Sequence, residues 1–149
     1  MTGLPARRSM NLPPLYPEYP MDPFTTPGAF SWSELMTKDP QAAASFYASL
    51  FGWTIEVMDM PTGPYRVVKA GGAPVGGIMG MPPGTGAMPP NWCPYVTVMD
   101  VDATVAHAAS LGGMVLHPPT DIPGVGRFAV IADPQGAPLN VMAYLPQPG

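Results

Sequence analysis

The residues best equipped for chemistry in this chain are a carboxylate and the side chains that flank it at every second position. Glu34 lies between Trp32 and Met36 within Phe30–Thr37, a segment whose imperfect alternation reads as a strand. Side chains two apart on a strand share a face, so these three act from one side. The same spacing groups Cys93, Tyr95 and Thr97, and again Asn140 and Met142. A carboxylate on an apolar face is costly unless it is paired or protonated. Glu34 is therefore the candidate catalytic residue as a general base. It is equally an acceptor for a ligand amine, or a plain hydrogen-bond partner of Tyr95 or Arg127.

Other chemistries find little support. There is no Gly-x-Ser-x-Gly elbow and no convincing Ser/His/Asp order. Cys93, the only cysteine, has no cationic neighbour in sequence to lower its pKa and rules out an intrachain disulfide, which fits a reducing, cytoplasmic setting. The formal charge is −4 with six Lys and Arg and no basic run, so phosphate neutralisation has nothing to work with and nucleic acid is excluded as a partner. No window approaches the roughly 20 apolar residues that span a bilayer. Arg7-Arg8 is followed by Pro13, Pro14, Pro17 and Pro20 where the apolar part of an export signal would stand.

The elements that must position these groups come as a motif used twice. Ala48-Ser49-Leu50 returns as Ala109-Ser110-Leu111, an offset of 61, which also carries Asp39 onto Asp100 and Arg66 onto Arg127. Gly72-Ala73-Pro74 returns as Gly136-Ala137-Pro138, an offset of 64. Asp39-Pro40 caps and opens a helix that Gly52 ends, and Asp100 or Asp102 caps a second that stops at Gly112-Gly113. Strands are predicted near 54–58, 65–70 and 74–79, then 94–99, 114–117, 127–132 and 138–144. Each half thus reads strand, helix, strand, strand, strand. The domain runs over 28–145, with module 1 at 28–81, a Gly/Pro-rich linker at 82–91 and module 2 at 92–145. Residues 1–27 form a Pro-rich tail, or an arm anchored on a neighbouring subunit by Tyr16 and Tyr19.

In this order of elements the chain resembles the vicinal oxygen chelate superfamily, which includes the glyoxalases, bleomycin resistance proteins and extradiol dioxygenases. The resemblance rests on Trp32–Trp53 with Asp39, Phe46-Tyr47 and Phe51-Gly52-Trp53, on Asp100-Val101-Asp102, and on the closing turn Asp133-Pro134-Gln135-Gly136. It implies an α+β fold of two βαβββ modules forming a half-open, eight-stranded barrel around a cleft. It also implies a divalent metal held by His, Gln or Glu on the first and last strands of each module, acting as a Lewis acid. Carried over by the two offsets, those ligand positions fall near Trp32, Gly76, Cys93 and Asn140. Their occupants do not make a metal set, and His107 and His117 lie elsewhere. No metal or other cofactor is expected.

If Trp32, Cys93 and Asn140 face the cleft, the ligand-binding lining is Trp32, Glu34, Met36, Cys93, Tyr95, Thr97, Asn140 and Met142, with Trp92 at the rim. That is an apolar pocket with a few placed polar groups. The leading expectation is a metal-free binding protein for a small, partly aromatic organic ligand, as the drug-sequestering branch implies. A glyoxalase-type lyase, isomerase or dioxygenase, metal-dependent or using Glu34 as base, is the second. A structural or regulatory partner with a vestigial pocket is the third. The family also implies a homodimer.

Overall fold

The computed structural model describes residues 21–146; the Pro-rich run with Tyr16 and Tyr19, and the Arg7-Arg8 pair, lie outside the described residues. The elements run β1 (Phe30–Thr37), α1 (Pro40–Phe51), β2 (Thr54–Met60), β3 (Gly63–Ala70), β4 (Ala73–Gly80), β5 (Asn91–Thr97), α2 (Val101–Ser110), β6 (Met114–Ile122), β7 (Gly126–Ala132) and β8 (Pro138–Tyr144). The fold is α+β, with βαβββ read twice. All eight strands form one sheet in the order β2-β3-β4-β1-β5-β8-β7-β6. β2 and β6 form its edges; the sheet curves but does not close. The two modules meet where β1 pairs antiparallel with β5.

Local chemistry accounts for the helices. Asp39 accepts a hydrogen bond from the Ala42 amide at 3.0 Å, Pro40 starts the first turn of α1, and Gly52 ends it in the left-handed region. Asp100, not Asp102, caps α2 by accepting from the Ala103 amide at 3.0 Å. Both helices lie on the same side of the sheet. Leu35, Ala44, Val68 and Ile78 form the core under α1, and Val101, Ala129 and Val141 the core under α2. The opposite face, free of helices, is the inner face on which Glu34 lies.

The strand register settles which residues of the two modules correspond. The capping aspartates fix an offset of 61 for β1 and β5, so Glu34 corresponds to Tyr95 and Trp32 to Cys93. β6 carries two register shifts around Leu116 and Pro118-Pro119, while β2 and β3 pair without interruption. Proline cannot donate to the ladder, and strand positions of this kind are where bulges form. By pairing, Thr54 corresponds to Met114, an offset of 60; the two extra residues raise it to 62 at the end of β6 and the longer turn to Gly126 raises it to 63 on β7, so Arg127 is not the counterpart of Arg66; Ala129 is. Arg127 instead reaches Asp102 and Asp121 at the surface.

A third shift lies on β4. Val68 pairs with Gly76 but Lys69 with Pro74, which leaves Val75 as a one-residue bulge; β7 and β8 pair without one. The turn before β4 therefore keeps the offset of 64, whereas the strand beyond Val75 returns to 63. A slip of one residue exchanges the faces of a strand. The residue beside Glu34 on the inner face is thus Gly77, the counterpart of Asn140, and Gly76 belongs to the helix side with Leu35 and Ile78.

Candidate functional site

β1 delivers Trp32 and Glu34 to the inner face at the middle of the sheet, between Gly77 of β4 and Cys93 of β5. Glu34 is lodged there by two phenols. Tyr65 of β3 donates to Glu34 Oε2 at 2.8 Å, and Tyr95 of β5 donates to Oε1 at 3.0 Å. The Trp32 indole N–H donates in turn to the Tyr65 hydroxyl at 2.9 Å. The chain of donors runs Trp32 to Tyr65 to Glu34, with Tyr95 closing it from the second module.

Gly77 makes this possible. A β-carbon on residue 77 would meet the ring and hydroxyl of Tyr65 well inside contact distance. With no side chain on β4, Tyr65 reaches across it from β3 to the carboxylate on β1. Tyr144 lies near the same carboxylate and shares a 2.8 Å hydrogen bond with Ser31. Phe24, from the segment before β1, meets Tyr144 edge-on at a ring separation of 5.1 Å and Trp32 at 6.4 Å.

Burial raises the pKa of Glu34, and its two phenol hydrogen bonds pull the other way without overcoming it. Burial and the neighbouring carboxylate push Tyr65 and Tyr95 well above the usual phenol range, so both stay protonated as donors. Burial also raises the Cys93 thiol, which makes it a poor nucleophile at neutral pH. Carbonyls at hand receive what remains: Thr97 donates to the Pro23 carbonyl at 2.6 Å and Asn140 to that of Pro94 at 3.4 Å.

Of the side chains predicted to line the cleft, Trp32, Glu34, Met36, Cys93, Tyr95, Asn140 and Met142 share the inner face. Thr97 shares it too but lies buried under Pro23, with its hydroxyl committed. Trp92 is on the other face, where its indole donates to Tyr47 at 3.1 Å and packs edge-on against Trp53. It pairs opposite Leu35 in the ladder, and alternation sends both to the helix side. Tyr65, Gly77, Tyr144 and Phe24 were not among the predicted residues. The alternation of Tyr65 with Val67 would have placed Tyr65 on a face, but not which one.

A divalent metal does not fit this donor set. At the middle of the sheet the inner positions of the first and last strands hold Trp32, Glu34, Gly77, Cys93, Tyr95 and Asn140: an indole, one carboxylate, no side chain, a thiol that burial keeps protonated, a protonated phenol and a neutral amide. Among the described residues no three His, Cys, Asp or Glu groups converge. Both histidines stand apart: His117 packs edge-on against Phe128 at 5.0 Å, and His107 lies on α2.

The profile of the Glyoxalase/Bleomycin resistance protein/Dioxygenase superfamily matches residues 29–141. The chain belongs to this superfamily. Among its family relatives, "Putative glyoxylase CFP32" of Mycobacterium bovis is 49% identical over 121 residues, covering 80% of this chain and 46% of that protein. "Anthracycline biosynthesis protein DauV" of Streptomyces sp. strain C5 is 37% identical over 128 residues, covering 77% of this chain and 46% of that protein. The chain thus spans less than half the length of the curated relatives it matches. Methylmalonyl-CoA epimerase from Mycobacterium tuberculosis superposes with a TM-score of 0.59 at 15% identity, over 82% of this chain and 92% of that one, which shows the shared family fold. No helix among the described residues is long and apolar enough to cross a membrane.

Proposed function

We propose that this superfamily domain binds a small, partly aromatic organic ligand on its inner face without a metal. The observation that supports this best is the Trp32–Tyr65–Glu34–Tyr95 chain of hydrogen bonds. Polar groups stand among aromatic rings at the place where the fold otherwise gathers metal ligands, as an organic-ligand site requires. A relative named for anthracycline biosynthesis is consistent with a polycyclic aromatic ligand. Trp32 supplies stacking surface, Glu34 and Asn140 orient the ligand, and Met36 and Met142 are soft walls that repack around it.

A second reading draws on the raised pKa of Glu34, which makes it a stronger base than an ordinary carboxylate, and on the glyoxylase name of a relative. In that reading the domain is a lyase or isomerase: Glu34 removes a proton from a carbon acid, and the proton it gains releases the Tyr65 or Tyr95 hydroxyl to hydrogen-bond the developing oxyanion. We further propose a cytoplasmic homodimer; a buried free Cys93 accords with a reducing compartment.

A library of polycyclic aromatic compounds scored by Trp fluorescence tests the first reading. Trp32→Ala or Glu34→Gln is expected to weaken binding at least ~tenfold, about 1.4 kcal/mol, without unfolding the chain. Unchanged affinity in both variants would sink it. Titration with Mn, Fe, Ni and Zn ions tests the metal-dependent form of the second: stoichiometric metal, lost in Glu34→Gln, would make it the leading reading.

A further inference from the structure

Among the described residues, Glu34 is a carboxylate without a counter-ion. Its two hydrogen bonds come from neutral phenols, and no cation of the described residues contributes to its environment. The ion pairs among the described residues lie elsewhere: Lys69 with Glu56, and Arg127 with Asp102 and Asp121. A carboxylate withdrawn from water and facing only neutral donors keeps most of its desolvation cost, and a cation placed beside it would offset that cost.

The remaining walls favour the same partner. Tyr65 and Tyr95 bond Glu34, Tyr144 lies near it, Trp32 bonds Tyr65, and Phe24 packs on Trp32 and Tyr144; the electron-rich faces of such rings attract cations most strongly when water is reduced. Trp32, Glu34, Tyr65 and Tyr144 are only half-buried, so the group is still reachable from the inner face. Tyr65 and Tyr95 spend their hydroxyl protons on the carboxylate, so the site has few donors left for an anionic ligand.

We infer that the ligand of the inner face is a cation, an aromatic or polycyclic molecule carrying an ammonium group that sits against Glu34 within this ring of aromatic side chains. This rests on the proposed ligand-binding reading and names the charge that reading leaves open. It also assigns the phenols a role: they hold the carboxylate in one orientation so that its outer lone pairs face the cleft.

The test uses three probes of one shape, 1-pyrenemethylamine, 1-pyrenemethanol and 1-pyrenecarboxylate, titrated by fluorescence against the full chain at neutral pH. The ammonium is expected to bind at least ~tenfold more tightly than the alcohol, with the carboxylate weakest. Glu34→Gln, which keeps the shape, should bring ammonium and alcohol within about twofold of each other. Asp59→Asn, on the exposed edge strand, should leave the preference intact and so separate the site from the overall negative charge. Equal binding of ammonium and alcohol to the wild type, a preference that survives Glu34→Gln, or no binding of the ammonium would overturn the inference. If the alcohol still binds and Trp32→Ala or Trp32→Phe weakens it, only the charge assignment fails. If bound probes ignore both Trp32 variants and Glu34→Gln, the pocket reading fails with it.

Discussion

Where the first module places Glu34, the second places Tyr95; where the first has Tyr65 and Gly77, the second has Phe128 and Asn140. The backbones repeat, yet one half assembles a half-buried polar chain and the other a mostly apolar wall in which Phe128 meets His117. The difference turns on pairs. A phenol on β3 is useful only because β4 has no side chain at residue 77 for it to collide with. In the second module a ring without a hydroxyl stands beside an amide whose own donor turns to the Pro94 carbonyl. Tyr95 then lends its hydroxyl across the seam to the first module, so the carboxylate is held by both halves although it belongs to one.

The largest effect expected from breaking this asymmetry comes from Gly77→Ala. The added carbon evicts Tyr65, and the chain loses the Trp32–Tyr65 and Tyr65–Glu34 bonds together with good packing. Urea unfolding should show a loss of about 3 kcal/mol, with ligand binding abolished. A loss under about 0.5 kcal/mol would mean that Tyr65 has another place to go. Making the first module resemble the second at the ring itself is milder. Tyr65→Phe removes both hydrogen bonds without a clash and should cost about 1–2 kcal/mol in the same measurement.

Titration sharpens the comparison further. Because burial raises the pKa of Glu34 above its ordinary value of 4.5, the folded state holds this proton more tightly than the unfolded chain. Its contribution is complete below that value and is lost as pH rises through the folded pKa. The stability of the wild type relative to Glu34→Gln should therefore fall as pH rises above 4.5, read from paired urea curves. A constant difference would mean the carboxylate is not desolvated. The smallest effect belongs to the second module's surface. Arg127→Ala breaks exposed ion pairs with Asp102 and Asp121 and should leave the unfolding midpoint within experimental scatter.

The architecture was legible because its signals are local. Capping aspartates, a left-handed glycine and alternating strands each act over a few residues, and their repetition gave the order of elements. The inner face was legible in part: alternation grouped Trp32 with Glu34 and Cys93 with Tyr95. The remainder depends on pairing across strands, which spacing along one strand does not encode. Tyr65 reaches its partner only over a glycine on a neighbouring strand. Trp92 lies one residue from Cys93 and therefore on the other side of the sheet. Sequence identity at the turn points to Gly76 rather than Gly77 because it carries an offset that Val75 absorbs before the strand reaches the site.

That single unpaired residue has a consequence for any attempt to re-engineer the hairpin. Val75 behaves like a splice between two independently numbered pieces, one ending in the turn at Gly71-Gly72 and the other carrying Gly77 to the carboxylate. The turn can be lengthened or exchanged upstream of the splice while Gly77 keeps its orientation. Removing Val75 itself would leave Lys69 opposite Pro74 and Val68 opposite Gly76 in one unbroken ladder, like that of β7 and β8, with Gly77 still clearing the way for Tyr65.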